Sequence, residues 1–176
     1  DFASDLYLVP LRGEIALLTD QTGINGNPSA APSGSLVALL GHDDSQTYPQ
    51  NVHVAVIDPA AGTQRRWLSR ALDRTFETTA GTMTPLWLDD ANLLTTAEDR
   101  GETHLYRVPT DGSGPVPLTA GSITVKAAHA AGGTTAYVAS SVDAVADVFV
   151  LGADGPQRLT SFADTYRAAA GPLTWE

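Results

Sequence analysis

One hairpin phrase recurs four times along this 176-residue chain, and the recurrence limits the fold more than any other feature. Its clearest copy lies between Glu98 and Thr119. A β-branched and aromatic run at 103–109 meets an Asp111-Gly112 turn, and a second strand closes on Pro117-Leu118-Thr119. Asp-Gly between two such runs is a strong hairpin signal, because the tight primed turns need residues that accept positive φ. The other copies run from Asp5-Leu6-Tyr7-Leu8 to Leu18-Thr19, from Val54-Ala55-Val56-Ile57 to Trp67-Leu68-Ser69, and from Asp147-Val148-Phe149-Val150 to Arg158-Leu159-Thr160. Their anchors Leu6, Val54, Leu105 and Val148 stand 48, 51 and 43 residues apart. Four-stranded propeller blades repeat about every 40–50 residues. The pattern therefore predicts an all-β chain, a partial β-propeller of about three and a half four-stranded antiparallel blades.

Residues 1–20 leave room only for a half-blade, with strands at 5–10 and 14–19. Complete blades are expected over 28–70, 83–120 and 122–161, and 172–176 reads as the opening strand of a further one. The stretch 21–35 is rich in Gly, Asn, Pro and Ser and reads as connecting chain, with an innermost strand and turn at 28–34. The unbroken apolar run 36–40 implies a strand buried on both faces. Further strands are expected at 83–88, 92–97, 122–128, 134–140, 147–152 and 157–160, with turns at Asp89-Asp90 and Gly132-Gly133. Residues 161–171 are alanine-rich, and Asp164 as an N-cap would start one helical turn of linker. A closed ring needs about 4–8 blades, so the chain reads as part of a larger propeller. Its unpartnered edges and faces predict self-association, with a twofold pair as the default.

Net charge is −10, and the cations are nine arginines and Lys126. Arg65-Arg66 is the one adjacent basic pair and is expected to decorate an exposed strand. Phosphate recognition rests on clustered cations, so nucleic acid is not an expected partner. No apolar run approaches the ~20 residues of a membrane span, and no membrane partner is expected. The absence of cysteine suits a reducing compartment, so the expected location is cytoplasmic.

The sequence offers no catalytic, cofactor-binding or metal residue. No serine is flanked by glycine on both sides in the Gly-x-Ser-x-Gly manner that exposes a nucleophile. His42, His53, His104 and His129 are scattered, without metal-ligand spacing, and read as satisfied strand or surface histidines. His42-Asp43-Asp44 lacks the alternating ligands of a calcium loop and reads as a solvated acidic loop. Three acids surround one arginine in Glu98-Asp99-Arg100-Gly101-Glu102. That stretch is either an ion-paired loop, the preferred reading, or a cradle for a peptide amine. Trp67, Trp87 and Trp175 are expected to pack between blades.

LLGHDD (39–44), ALDR (71–74), PLWLDD (85–90), EDRGETHLYRVPTDG (98–112) and LTSF (159–162), in that order, resemble the non-catalytic propeller of the prolyl oligopeptidase family, in its acylaminoacyl-peptidase-like branch. The resemblance implies a Ser-Asp-His triad on a separate α/β-hydrolase domain C-terminal to the propeller. It maps no catalytic residue onto this chain, which would be inactive alone. The propeller would cap the active site and admit only short, unfolded or N-blocked peptides on their way to that domain. The family's Trp-Ser-Pro-Asp-Gly blade turn is replaced by Ala30-Ala31-Pro32-Ser33-Gly34 in one module and Trp87-Leu88-Asp89-Asp90-Ala91 in another. Short phrases such as Leu-Thr also resemble TolB-like propellers, so the rival expectation is a protein-binding scaffold with no attached enzyme.

Overall fold

The computed structural model describes residues 3–47, 49–152 and 154–171. The expected further strand at 172–176, with Trp175, lies outside them. A two-stranded hairpin, β1 (Tyr7–Leu8) with β2 (Ala16–Leu17), comes first. Then β3 (Ile24–Ala30), β4 (Val37–His42), β5 (His53–Ile57) and β6 (Arg66–Trp67) pair in chain order as one antiparallel blade. A second blade follows in β7 (Leu86–Asp89), β8 (Asn92–Asp99), β9 (Glu102–Pro109) and β10 (Val116–Pro117). The third contains β11 (Thr124–Ala131), β12 (Thr134–Ser141), β13 (Ala144–Gly152) and β14 (Gly155–Arg158). One parallel bridge, Thr124 to Thr103, joins the last two sheets.

Alternation along each strand sends neighbours to opposite faces, and both faces find a partner. Leu93 packs with Leu40, Val54, Val56 and Phe76 in the core between the first two blades. Leu94, the next residue, packs with Leu105, Val125 and Tyr137 in the core between the second and third. The run 36–40 behaves likewise, since Leu40 faces the second blade while Leu39, with Ala55 and Ile57, packs on Leu6 and Trp67. Burying each such side chain contributes about 1.5–3 kcal/mol. Leu105 and Val108 are fully buried, whereas Val148 and Val150, on the last blade, are only partly so.

First strands of consecutive blades touch one another, which places them at the hub. Asn27 Nδ2 donates to Thr84 Oγ1 at 3.4 Å, Ser29 Oγ to the Pro85 carbonyl at 2.5 Å, and Trp87 Nε1 to the Ser29 carbonyl at 3.0 Å. Trp87 thus links two blades.

Three local expectations need correction. The first strand begins at Ile24, inside the stretch read as connecting chain. Asn27 takes a left-handed φ of 51° and absorbs a register shift between Gly26 and Ser29, so a Gly/Asn/Pro-rich segment still pairs with β4. Residues 161–171 hold a nine-residue helix, α1 (Phe162–Ala170), rather than one turn. Its cap residue is Ser161, not Asp164, and the first amides are satisfied from the sheet. Asp147, on β13, accepts from the Phe162 N–H at 2.8 Å and the Ala163 N–H at 3.3 Å. Arg65, expected on an exposed strand, has a side chain only 3% exposed. It donates to Asn25 Oδ1 and Asp20 Oδ1, each at 2.8 Å, and pins the chain entering the first complete blade.

Candidate functional site

The recurring phrase is the sequence trace of a recurring hydrogen-bond latch. In every module a hydroxyl on the closing strand accepts the anchor's N–H: Thr19 from Leu6 (3.1 Å), Ser69 from Val54 (2.9 Å), Thr119 from Leu105 (3.0 Å) and Thr160 from Val148 (2.9 Å). The residue before each hydroxyl, Leu18, Leu68, Leu118 or Leu159, donates its N–H to the anchor's carbonyl at 2.8 Å. The hydroxyl proton goes to the residue preceding the anchor. Asp5 receives it at 2.5 Å and Asp147 at 2.6 Å, and the Nδ1 atoms of His53 and His104 lie 3.4 and 3.3 Å from Ser69 and Thr119. In the sequence, Asp5, His53, His104 and Asp147 occupy one column of the repeat. That column was a legible signal for two of the four histidines.

The latch also disposes of an apparent nucleophile–base pair. Ser69 and His53 have the residue types of one, but Ser69 is fully buried and its Oγ is occupied by the Val54 N–H. A substrate carbonyl cannot reach it. His104 Nδ1 accepts from Thr119, which leaves its protonated Nε2 to donate to Glu102 at 3.2 Å. Burial first, then the charge of Arg70, push the His53 imidazole below its ordinary value. Burial alone would raise the Asp147 carboxyl, but bonds from Thr160, Phe162, Ala163 and Arg158 hold it below the usual carboxylate range.

Of His42-Asp43-Asp44, the two acids are exposed, as a solvated acidic loop requires, but the histidine is not. His42 is buried at the end of β4, with no hydrogen-bond partner for Nδ1. Asp43 pairs with Arg70, lies 3.4 Å from Arg65, and accepts from Trp67 Nε1 at 3.1 Å. Both guanidiniums stack on the Trp67 ring, at 5.4 and 4.6 Å from its centroid. The Glu98–Glu102 segment is an ion-paired turn: Asp99 binds Arg74 Nε at 2.6 Å, and Glu98 accepts from the Thr79 N–H and Oγ at 2.6 and 2.8 Å. Among the described residues no group of three or more His, Cys, Asp and Glu is placed to hold a metal ion.

A broad concavity lies where two long connections meet. Because β4 ends and β5 begins at the end of the blade where β6 ends and β7 begins, the connections 43–52 and 68–85 share that end. Between them a trough of about 550 Å³ is lined by Gln50, Thr75, Glu77, Thr79 and Glu98. A recess of about 150 Å³ shares Gln50 and Glu77 and runs to Gly26 and Asn27 at the hub, beside His42. Gln50 Nε2 donates to the Asp44 and Thr47 carbonyls at 2.7 and 2.6 Å, which holds the rim of the shorter connection. Sequence reading missed Gln50 and Glu77, since neither stands in a motif.

Four-stranded antiparallel blades about a common hub, preceded by a two-stranded hairpin and latched alike, define a partial β-propeller. A sequence-family model described as the lipoprotein LpqB β-propeller domain matches residues 31–158, and the chain belongs to that family. No curated protein matches it in sequence. Among solved structures it is similar to acylaminoacyl peptidase from Pyrococcus horikoshii, with a TM-score of 0.70 and 14% identity, covering 95% of this chain and 24% of that one. The β-propeller domain of the trilobed protease from Pyrococcus furiosus gives 0.65 and 13%, covering 90% and 46%. A puromycin-hydrolysing peptidase from Mycobacterium tuberculosis gives 0.61 and 17%, covering 84% and 23%. At these identities the likeness is one of fold, and it is to the propellers of the peptidase family whose phrases the sequence resembles. The chain spans about a quarter of the length of the acylaminoacyl peptidase.

Proposed function

We propose that this chain is the non-catalytic propeller part of a prolyl oligopeptidase-type serine peptidase, capping the active site and restricting entry to short peptides. The observation that carries the reading is the superposition of 95% of the chain on an acylaminoacyl peptidase, with the family's phrases in the same order along the sequence. The architecture suits the task. Blades with both faces buried form a stiff wall, and exclusion of folded protein needs only a narrow aperture at the hub. The end carrying the connections 43–52 and 68–85, with the Gln50–Glu77 trough, is the face we assign to the hydrolase domain.

A second reading is favoured by the family match: a lipoprotein propeller that binds a protein partner and carries no enzyme. A cytoplasmic location goes with the first reading and a lipid-anchored one with the second. The encoded reading frame past Glu176 separates them. The peptidase reading expects a hydrolase domain with Gly-x-Ser-x-Gly within about one domain's length. Its product should cleave short peptides and spare the same sequences inside folded proteins. A frame that adds only blades, or a product that cleaves folded and short substrates alike, would overturn it.

A further inference from the structure

The recess beside His42 combines an open wall with an unpaired imidazole nitrogen. Every wall belongs to the first complete blade or to the connection that follows it. Gly26 stands opposite Leu40 in the β3–β4 ladder, so both present the same face, the one Leu40 turns toward the second blade. A Cβ at Gly26 would meet nothing within 4 Å. The glycine therefore keeps the recess open. His42, two residues beyond Leu40 on β4, shares that face and lines the recess. It is only 8% exposed, and its Nδ1 has no hydrogen-bond partner. Buried polar atoms in folded chains are normally paired, so His42 points to a ligand for the recess.

The chemistry of the rim says which ligand. Gln50 spends both amide hydrogens on the Asp44 and Thr47 carbonyls, so it offers the recess an oxygen. In the adjoining trough Asn51 donates to Asp73 at 2.8 Å, Thr78 to the Gly81 carbonyl at 2.9 Å and Thr79 to Glu98 at 2.8 Å. These donors are committed within the protein, while Glu77 and Glu98 add carboxylates. Among the described residues no lysine or arginine lines the trough or the recess. We propose that the recess binds the guanidinium of an arginine side chain, with the peptide that carries it lying along the trough. A guanidinium brings five N–H donors and a permanent charge to a rim of acceptors, among them Glu77, Gln50 and the unprotonated nitrogen of His42. An ammonium brings three donors and is more strongly hydrated. Leu40 and Val52 supply the apolar floor on which the arginine stem packs. A net charge of −10 attracts such a ligand. The site is made of this chain's own residues and stands under either reading of the whole protein.

The test titrates the whole chain with acetyl-Gly-Arg-Gly-amide, whose blocked ends leave the guanidinium as its only charge. Calorimetry at low salt should show saturable binding. The citrulline analogue, which exchanges one nitrogen for an oxygen and removes the charge, should bind about tenfold more weakly or worse. The lysine analogue should also bind more weakly than the arginine probe. Glu77→Gln, at an exposed position, should weaken the arginine probe about tenfold. Gly26→Leu, which fills the recess, should abolish binding, and both variants should keep the circular-dichroism spectrum of the parent. In nuclear magnetic resonance spectra the probe should shift the imidazole signals of His42 and leave those of His129, on the third blade, in place. Absence of saturable binding, an arginine probe no tighter than its citrulline or lysine analogue, an unchanged affinity in either folded variant, or an unmoved His42 signal would overturn the proposal.

Discussion

Removing one hydroxyl from the latch of the second blade isolates its energetic weight. Thr119 is 6% exposed, and its Oγ1 accepts the buried Leu105 N–H at 3.0 Å while facing His104 Nδ1 at 3.3 Å. Thr119→Val keeps the shape and deletes both bonds. Stranding a buried N–H costs about 1–3 kcal/mol. The added methyl group returns at most about 0.8 kcal/mol through burial. The net loss is about 1–2 kcal/mol, which for a chain of this length corresponds to a fall of about 2–8 °C in midpoint. The measurement is urea and thermal unfolding at matched protein concentration, beside Thr119→Ser, which retains the hydroxyl, and Thr134→Val on an exposed strand start. Thr134→Val should stay within about 0.5 kcal/mol of the parent. If Thr119→Val costs no more than Thr134→Val, or Thr119→Ser costs as much as Thr119→Val, the latch contributes nothing and the repeated hydroxyl needs another explanation.

Leu105→Ala, at a fully buried site, should lose about 2–5 kcal/mol in the same assay, while Lys126→Ala on the exposed face of β11 should change little. Gly41→Ala should lose about 1–3 kcal/mol or more, because a Cβ there would fall on the Ile24 carbonyl oxygen of the paired strand; unchanged stability would mean that β3 and β4 are not so closely apposed. His53 is held below its ordinary value by burial and by Arg70, so the folded chain resists a proton that the unfolded chain takes up. Stability should be full above about pH 6.5 and fall as the pH drops through that value, with a shallower slope in His53→Gln; equal slopes would refute the assignment. The purified 176-residue chain should hydrolyse neither peptides nor esters, and saturable turnover abolished by a serine-directed inhibitor would contradict this.

The blade strands and their order were legible in the sequence because they depend on neighbours close along the chain. The unbroken apolar run 36–40, glycine pairs such as Gly132-Gly133 and the spacing of Leu6, Val54, Leu105 and Val148 all state local conformational preferences. The same local logic failed wherever a partner came from far away. Residues 161–171 carry alanine but no side-chain cap, and the carboxylate that completes α1 belongs to Asp147 on another strand. Ile24–Ala30 is a strand because β4 and the inner edge of the next blade accept its bulge, not because Gly-Asn-Pro favours extension. Arg65 looks like surface charge until Asp20, Asn25 and Asp43 converge on it. The trough at Gln50 and Glu77 exists only because two separate connections, 43–52 and 68–85, emerge at one end of a blade. Turn chemistry and periodicity belong to a few consecutive residues and survive in the linear text. Caps for a helix, counter-ions for a buried guanidinium and the walls of a groove are supplied across space, and only the packed chain decides them.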